Sequence, residues 1–213
     1  MLIKMLAKNE KRHFIDLADL LIIANQPLLW GGKTSDEITS DTDLSALSFK
    51  EEKNEIELIA ELENYAGNVR ENSSMFGYAS SPGFAGIKKR SGLNEQTLEL
   101  RQNTHIVNRL LEVLKDYPFM KMDRPETRIE ASMITLKNLL EDQIYERPST
   151  PKIILFELLL VVLRNGKISD IQLTLLKEIQ RHHNVEDFIF DDLVERAEVI
   201  NLETSKTISM ILE

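Results

Sequence analysis

Apolar residues recur at three- and four-residue spacings along almost the whole chain, the repeat of helices that bury one face. Phe14, Leu17, Ala18, Leu21 and Asn25 make one such stripe, with Asn9 as its N-cap. Ile56, Ile59, Leu62 and Tyr65 make a second, opened by the S-x-x-E capping box Ser48 to Glu51 and closed by Gly67. Leu98, Val107, Leu110, Leu111, Leu114 and Tyr117 predict a long helix from Asn94 to Tyr117. Asp123 before Pro125 starts another long one, with Ile129, Met133, Leu136, Leu140 and Ile144 inward. Thr150-Pro151 opens the most apolar stretch, Ile153 to Leu163, which is interrupted only by Glu157 and followed by Gly166 as a C′ residue. A bilayer span needs ~20 apolar residues, so this stretch reads as a core helix and no segment crosses a membrane. Ser169 to Gln172 is a second capping box, opening a helix with Leu173, Leu176 and Ile179 inward. Glu186–Glu198 and Thr204 to the end predict two shorter helices.

No segment alternates with period two, and 8 Gly and 6 Pro in 213 residues are too few for a many-turned β-sandwich or barrel. The expectation is an all-α helical bundle forming a single domain over residues 1–213. The absence of cysteine excludes a disulfide framework, a thiolate metal site and a cysteine nucleophile. Met1 to Leu6 is too short for a signal h-region and runs into charge at Lys8 to Arg12, so a cytoplasmic location is expected. A net charge of −9 argues against nucleic acid as the main partner, because phosphate binding wants clustered Lys and Arg. Neither a Walker-type loop, a G-x-G-x-x-G nor a nucleophile-elbow pattern is present.

Two stretches are alike. Phe14 to Asn25 followed by Gly32-Lys33-Thr34-Ser35-Asp36 parallels Phe156 to Asn165 followed by Gly166-Lys167-Ile168-Ser169-Asp170. Each reads as apolar helix, Asn, G-K-x-S-D, then an amphipathic helix; the first carries Gln26 to Gly31 as an insertion. This predicts two related helix-turn-helix units. On the opening Met1-Leu2-Ile3-Lys4-Met5-Leu6 with Glu10 to Ala18, and on Phe156 to Ile179 with its G-K-I-S turn, the chain resembles the TerB-like family. That family is named for tellurite resistance protein B and shared with the N-terminal region of the DjlA co-chaperone. The resemblance implies an all-helical, non-enzymatic module of a bacterial stress-response or defence system. Family members carry an Asp before the turn Gly and a Glu about six residues after it, in acidic clusters thought to hold a divalent cation. Here those positions are Asn25, Asn165, Ile38 and Gln172, with Glu37 and Asp170 close by. Residues 68–146 have no counterpart in the family.

The charge is uneven. Asp36 to Glu63 holds ten carboxylates against Lys50 and Lys53. Within it Asp41, Asp43, Ser45 and Glu52 fall at positions 1, 3, 5 and 12 of a calcium-loop count, although position six is Ala46 rather than Gly. Asp36, Glu37, Asp41, Asp43 and Glu52 are therefore the candidate ligands of a divalent-cation sensor. Helix capping or a solvated face is the plainer account. A second acidic cluster runs from Glu186 to Glu198 with Arg196 as its only base. A metal-dependent hydrolase is a further alternative, and it needs ligands from both units to converge. His182-His183 reads as a dipole contact at a helix C-terminus, and His13 and His105 as isolated surface or interface residues.

Residues 68–93 scatter Met75, Phe76, Tyr78, Phe84 and Ile87 through a Gly/Ser background before Lys88-Lys89-Arg90. Plain linkers lack such aromatics, so this flexible insertion is expected either to dock on a protein partner or to pack on its own bundle. Trp30, the sole tryptophan, is either an exposed anchor or a lid over the first helix. The expected partner-binding set is Trp30, Phe76, Tyr78, Phe84, Lys88, Lys89 and Arg90, with no cofactor beyond a possible divalent cation; a homo-oligomer is also compatible.

Overall fold

The computed structural model of the protein describes residues 2–50, 52–67, 105–141, 143–145, 147–164 and 166–212. They form an all-α bundle. After a 3-10 turn at Leu2–Met5 come α1 (Lys8–Ile23), α2 (Lys53–Ala66), α3 (His105–Lys115), the single turn α4 (Phe119–Met122), α5 (Pro125–Leu140), α6 (Thr150–Leu163), α7 (Asp170–His182) and α8 (Asp187–Leu212). The predicted start of α3 at Asn94, including Leu98, lies outside the described residues.

Helix α1 is the axis. It packs against α2, α3, α5 and α6, and every residue from His13 to Ala24 is buried. The expected single stripe is therefore too narrow a description: the helix is covered on all sides, while Asn25 just beyond it is exposed. A helix buried all round has a particular difficulty at its ends, where carbonyls and amides lack intrahelical partners and water is not at hand. Arg128 of α5 solves it at the C-terminus. Its Nη2 donates to the carbonyls of Ala24 (2.9 Å), Gln26 (2.6 Å) and Ile23 (3.5 Å), and its Nη1 donates to Asp123 Oδ1 (3.3 Å). Burial pushes the guanidinium pKa down, and Asp123 opposes that shift. At the N-terminus Glu10 closes the first turn, accepting from the Ala7 amide (2.7 Å) and from Thr150 Oγ1 at the start of α6 (3.1 Å).

The inward face of α5 is thus set by Arg128, Ala131, Ser132, Thr135 and Leu136, all buried. Of the predicted stripe Leu136 and Leu140 are buried as expected, but Ile129 and Met133 lie half-buried at its edge and Ile144 is exposed beyond the helix, because small and cationic residues are the ones that let α5 approach α1. Pro125 occupies the first turn as expected, with Arg124 rather than Asp123 at the N-cap. In α2, Ile56, Ile59 and Leu62 face inward while Tyr65 is exposed, and Gly67 closes the helix at φ 84°. Helix α6 is the predicted core helix; Glu157, wholly buried, accepts a hydrogen bond from the Leu2 amide and so ties the opening turn to the core. Gly166 (φ 96°) makes the turn into α7, and the predicted box is formed there: Gln172 Oε1 accepts from the Ser169 amide (3.1 Å) and Ser169 Oγ from the Gln172 amide (3.4 Å). Leu176 and Ile179 point inward, Leu173 outward.

Two departures concern local structure. Between α1 and α2 the chain forms an antiparallel pair, β1 (Leu28–Trp30) and β2 (Leu47–Phe49), with Leu28 opposite Phe49 and Trp30 opposite Leu47. Phe49 then lies under the Arg128 guanidinium at 5.0 Å. The first repeat is therefore helix–hairpin–helix rather than helix-turn-helix, and Ser48 belongs to a strand instead of a cap. Helix α2 starts at Lys53, where Glu55 accepts from the Glu52 amide (3.4 Å). The second departure is α8. The two predicted C-terminal helices are one, since no Gly or Pro separates Glu198 from Thr204.

Arg128→Ala should lower the free energy of urea unfolding by about 3 kcal/mol, because it strands buried carbonyls. Arg128→Lys should recover only part of this, since an ammonium lacks the planar fork.

Candidate functional site

Beyond Ala197 no residue of α8 is buried. Up to that point the helix lies along α6, with Phe190 and Ala197 buried and Ile189, Leu193 and Val194 half-buried. After it come Val199, Ile200, Leu202, Ile208, Met210, Ile211 and Leu212, all 45% to 81% exposed. The only charges between residues 199 and 212 are Glu203 and Lys206, which pair at 2.7 Å. A helix apolar on this scale is ordinarily covered. Next to it a groove of about 410 Å³ opens, lined by Phe156, Asp192, Glu195, Arg196, Val199 and Ile200. This distal half of α8 is the candidate contact surface. It was not anticipated, although the low charge of residues 199–212 was a visible signal.

Trp30, expected among the contact residues, is 1% exposed and sits edge-on to Phe119 at a ring separation of 5.3 Å. The turn after it explains the burial. Gly31 (φ 56°) and Gly32 (φ 80°) form a two-residue reversal in which the Trp30 amide donates to the Lys33 carbonyl (2.8 Å) and the Lys33 amide to the Trp30 carbonyl (3.0 Å). That reversal turns the indole inward, against Phe119 of α4. Phe76, Tyr78, Phe84, Lys88, Lys89 and Arg90 lie outside the described residues.

Asp36, Glu37, Asp41, Asp43 and Glu52 are all exposed, and among the described residues no three His, Asp or Glu side chains are placed to hold a metal ion. Local turns engage several of them. Glu37 Oε2 accepts from the Thr34 amide and hydroxyl (both 3.0 Å), which lowers its pKa. Asp43 Oδ1 accepts from the Ser45 hydroxyl (2.6 Å) and amide (2.9 Å), with the same effect. Ser40 Oγ donates to Asp41 (3.1 Å). The calcium-loop count breaks at Leu47–Phe49, where the chain enters β2 and runs on toward Glu52 at the start of α2 instead of curling round a centre. Of the positions at which the family carries acids, Asn25 is exposed, Ile38 is half-buried, and Gln172 is buried and donates to the Leu21 carbonyl (3.2 Å), tying α7 to α1.

A buried polar cluster at the other end of α1 was also missed. His13, read as a surface residue, is 4% exposed. Its ring lies 6.0 Å from that of Tyr145, which lies 4.7 Å from His183, itself 4.8 Å from His182. His13 Nε2, Tyr145 OH and His183 Nε2 are buried without a hydrogen-bond partner among the described residues. Burial first, and the neighbouring imidazoles second, push His13 down to about 4, and the same causes push His183 down to about 4. Burial and the Glu10 carboxylate raise Tyr145. The cluster joins α1, the segment before α6 and the end of α7, with His13 buried, Tyr145 and His183 half-buried and His182 exposed at its rim. His105 is exposed and stands 3.9 Å from Asp16.

His13 and His183 are held neutral in the fold but protonate freely when unfolded. Stability is therefore intact above the unfolded pKa of 6.5 and falls as pH drops from there toward 4. Unfolding at pH 5 should be easier than at pH 7.5 by about 2 kcal/mol from His13, and His13→Gln should flatten that slope. Trp30 emission should be blue-shifted and poorly quenched by iodide until the chain unfolds.

No protein-family model, curated protein or solved structure matches this chain.

Proposed function

We propose that the protein is a non-enzymatic helical interaction module that acts by protein–protein contact through the distal half of α8. The observation that carries this reading is the run of seven apolar side chains from Val199 to Leu212, 45% or more exposed on a helix whose first half is packed on α6. Exposed apolar patches of this kind on a folded chain mark contact surfaces. Three polar groups of the interior, by contrast, hold helices together: Arg128 at the end of α1, Glu10 at its start, Gln172 between α7 and α1. The resemblance to the TerB-like family supports a setting in a bacterial stress-response or defence system. For the described residues the structural requirement of that setting is modest: a stable helical body that presents one helix. None of the helices described is long and apolar enough to cross a membrane.

A photo-crosslinking residue at position 211 in the full chain, expressed in cells, should give a crosslinked protein product of defined mass. The same residue at Lys177 should not, and adding Ile208→Glu should remove the product at 211 while leaving helicity and melting unchanged. A position-211 chain that yields no product, or one that Ile208→Glu does not affect, overturns the reading.

A further inference from the structure

At one place in the fold, polar atoms from three elements are buried with no hydrogen-bond partner among the described residues: His13 Nε2 of α1, Tyr145 OH, and His183 Nε2 at the end of α7. The Tyr145 ring packs on both histidines, at centroid separations of 6.0 Å from His13 and 4.7 Å from His183. It is held there without a directional bond. Residues 143–145 belong to no helix or strand, and their backbone is tied to the bundle by the Gln143 amide on the Leu140 carbonyl (3.1 Å). Helix α1, by contrast, is fastened to its neighbours through Arg128, Glu10 and Gln172. We infer that Tyr145 is an acid-released latch: as pH falls, residues 143–145 leave the two imidazoles while the helical bundle stays folded.

The driving force is the difference in proton affinity between the docked and released states. Docked, His13 and His183 are held down at about 4, by burial first and by neighbouring imidazoles second; released into water they return toward 6.5. Docking is therefore complete above 6.5 and is lost as pH falls from there toward 4. Two such sites raise the ratio of released to docked chains by roughly 100- to 1,000-fold between pH 7.5 and 5.0. Against this stands the packing of one half-buried aromatic ring, with no hydrogen bond to break at its hydroxyl. Global unfolding frees the same two histidines but gives up the whole apolar core as well. Release of Tyr145 is the less costly route to the protonated state.

The surrounding charges are engaged elsewhere. On α1, Glu10 and Asp16 lie one turn to either side of His13; Glu10 accepts from the Ala7 amide and the Thr150 hydroxyl, and Asp16 stands 3.9 Å from His105 of α3. Glu157 of α6 accepts from the Leu2 amide. On α7, Glu178 pairs with Arg181, and Gln180 Nε2 donates to Asp187 Oδ1 of α8 (2.7 Å). His182 depresses both buried histidines further, and Glu10 with burial keeps the Tyr145 hydroxyl protonated throughout this range. Asp142 and Glu146 lie outside the described residues. Among the described residues the histidine within ion-pair reach of a carboxylate is His105, not His13 or His183. An imidazolium formed in place has no counter-charge, so protonation proceeds through release.

Fluorotyrosine incorporated into the full chain gives fluorine NMR signals from Tyr65, Tyr78, Tyr117 and Tyr145, and Tyr145→Phe identifies the last of them. Between pH 7.5 and 5.0 the Tyr145 signal should move to its position in the urea-unfolded chain, while Trp30 emission and helical ellipticity stay constant. His13→Gln combined with His183→Gln should hold that signal at its pH 7.5 position down to pH 5.0. His183→Gln alone, at the half-buried site, should shift the midpoint to lower pH. A Tyr145 signal that stays docked until Trp30 emission moves to the red overturns the latch, because the histidines then protonate only when the whole chain unfolds. Release at one and the same pH in the unmodified chain and in His183→Gln overturns the assignment of the trigger to these imidazoles.

Discussion

The closure of α1 at both ends is the constraint on which the rest of this structure depends. A helix surrounded by α2, α3, α5 and α6 gains apolar burial on every side, but its terminal amides and carbonyls lose water at the same time. Arg128 reaches from α5 to three carbonyls at the C-terminus, and Glu10 joins the N-terminus to Thr150 of α6. These two groups also fix neighbours. Arg128 settles the rotation of α5 and lies over Phe49, so it locates the hairpin that carries Trp30. Glu10 sits beside the His13–Tyr145–His183 cluster and raises the tyrosine that packs there. An apolar core alone would leave the helices free to slide and rotate; directional bonds to the ends of the central helix remove that freedom.

Helices α1 and α8 are opposites within one chain. The first is covered on all sides and contains buried His13, Asp16 and Asp19; the last is covered along one face for half its length and then leaves the bundle. The few polar groups buried along α1 each restrict how the helices pack. Apolar groups are left exposed where the chain leaves the core. The contrast separates the helix that organises the core from the one whose apolar side chains are left exposed.

Much of the helical architecture was legible because it depends on neighbours in sequence. Gly67 and Gly166 end helices at positive φ, Pro125 opens α5, and Ser169 and Gln172 form their reciprocal cap. Each is a contact within a turn or two, and residue type alone specifies it. The strands were not legible: three residues apiece do not establish a period, and Ser48 satisfies a cap pattern equally well. Trp30 carried no mark of its direction, which came from a glycine pair whose reversal matters only once β2 lies alongside. The face of α5 was legible only at Leu136 and Leu140, because apolar residues were taken as the inward ones, whereas the geometry of α1 also required an arginine and small side chains there.

The sequence by itself determined that this chain is helical, where most helices stop, and that its acidity is concentrated in two stretches, since these follow from local spacing and capping chemistry. Only the tertiary structure decided that Arg128 and His13 are interior, that Trp30 is covered, that the acids from Asp36 to Glu52 do not converge, and that the distal half of α8 stands clear of the bundle. Burial is a property of what lies across the fold from a residue, and for α1 and α5 the contact at Arg128 spans more than a hundred positions of chain.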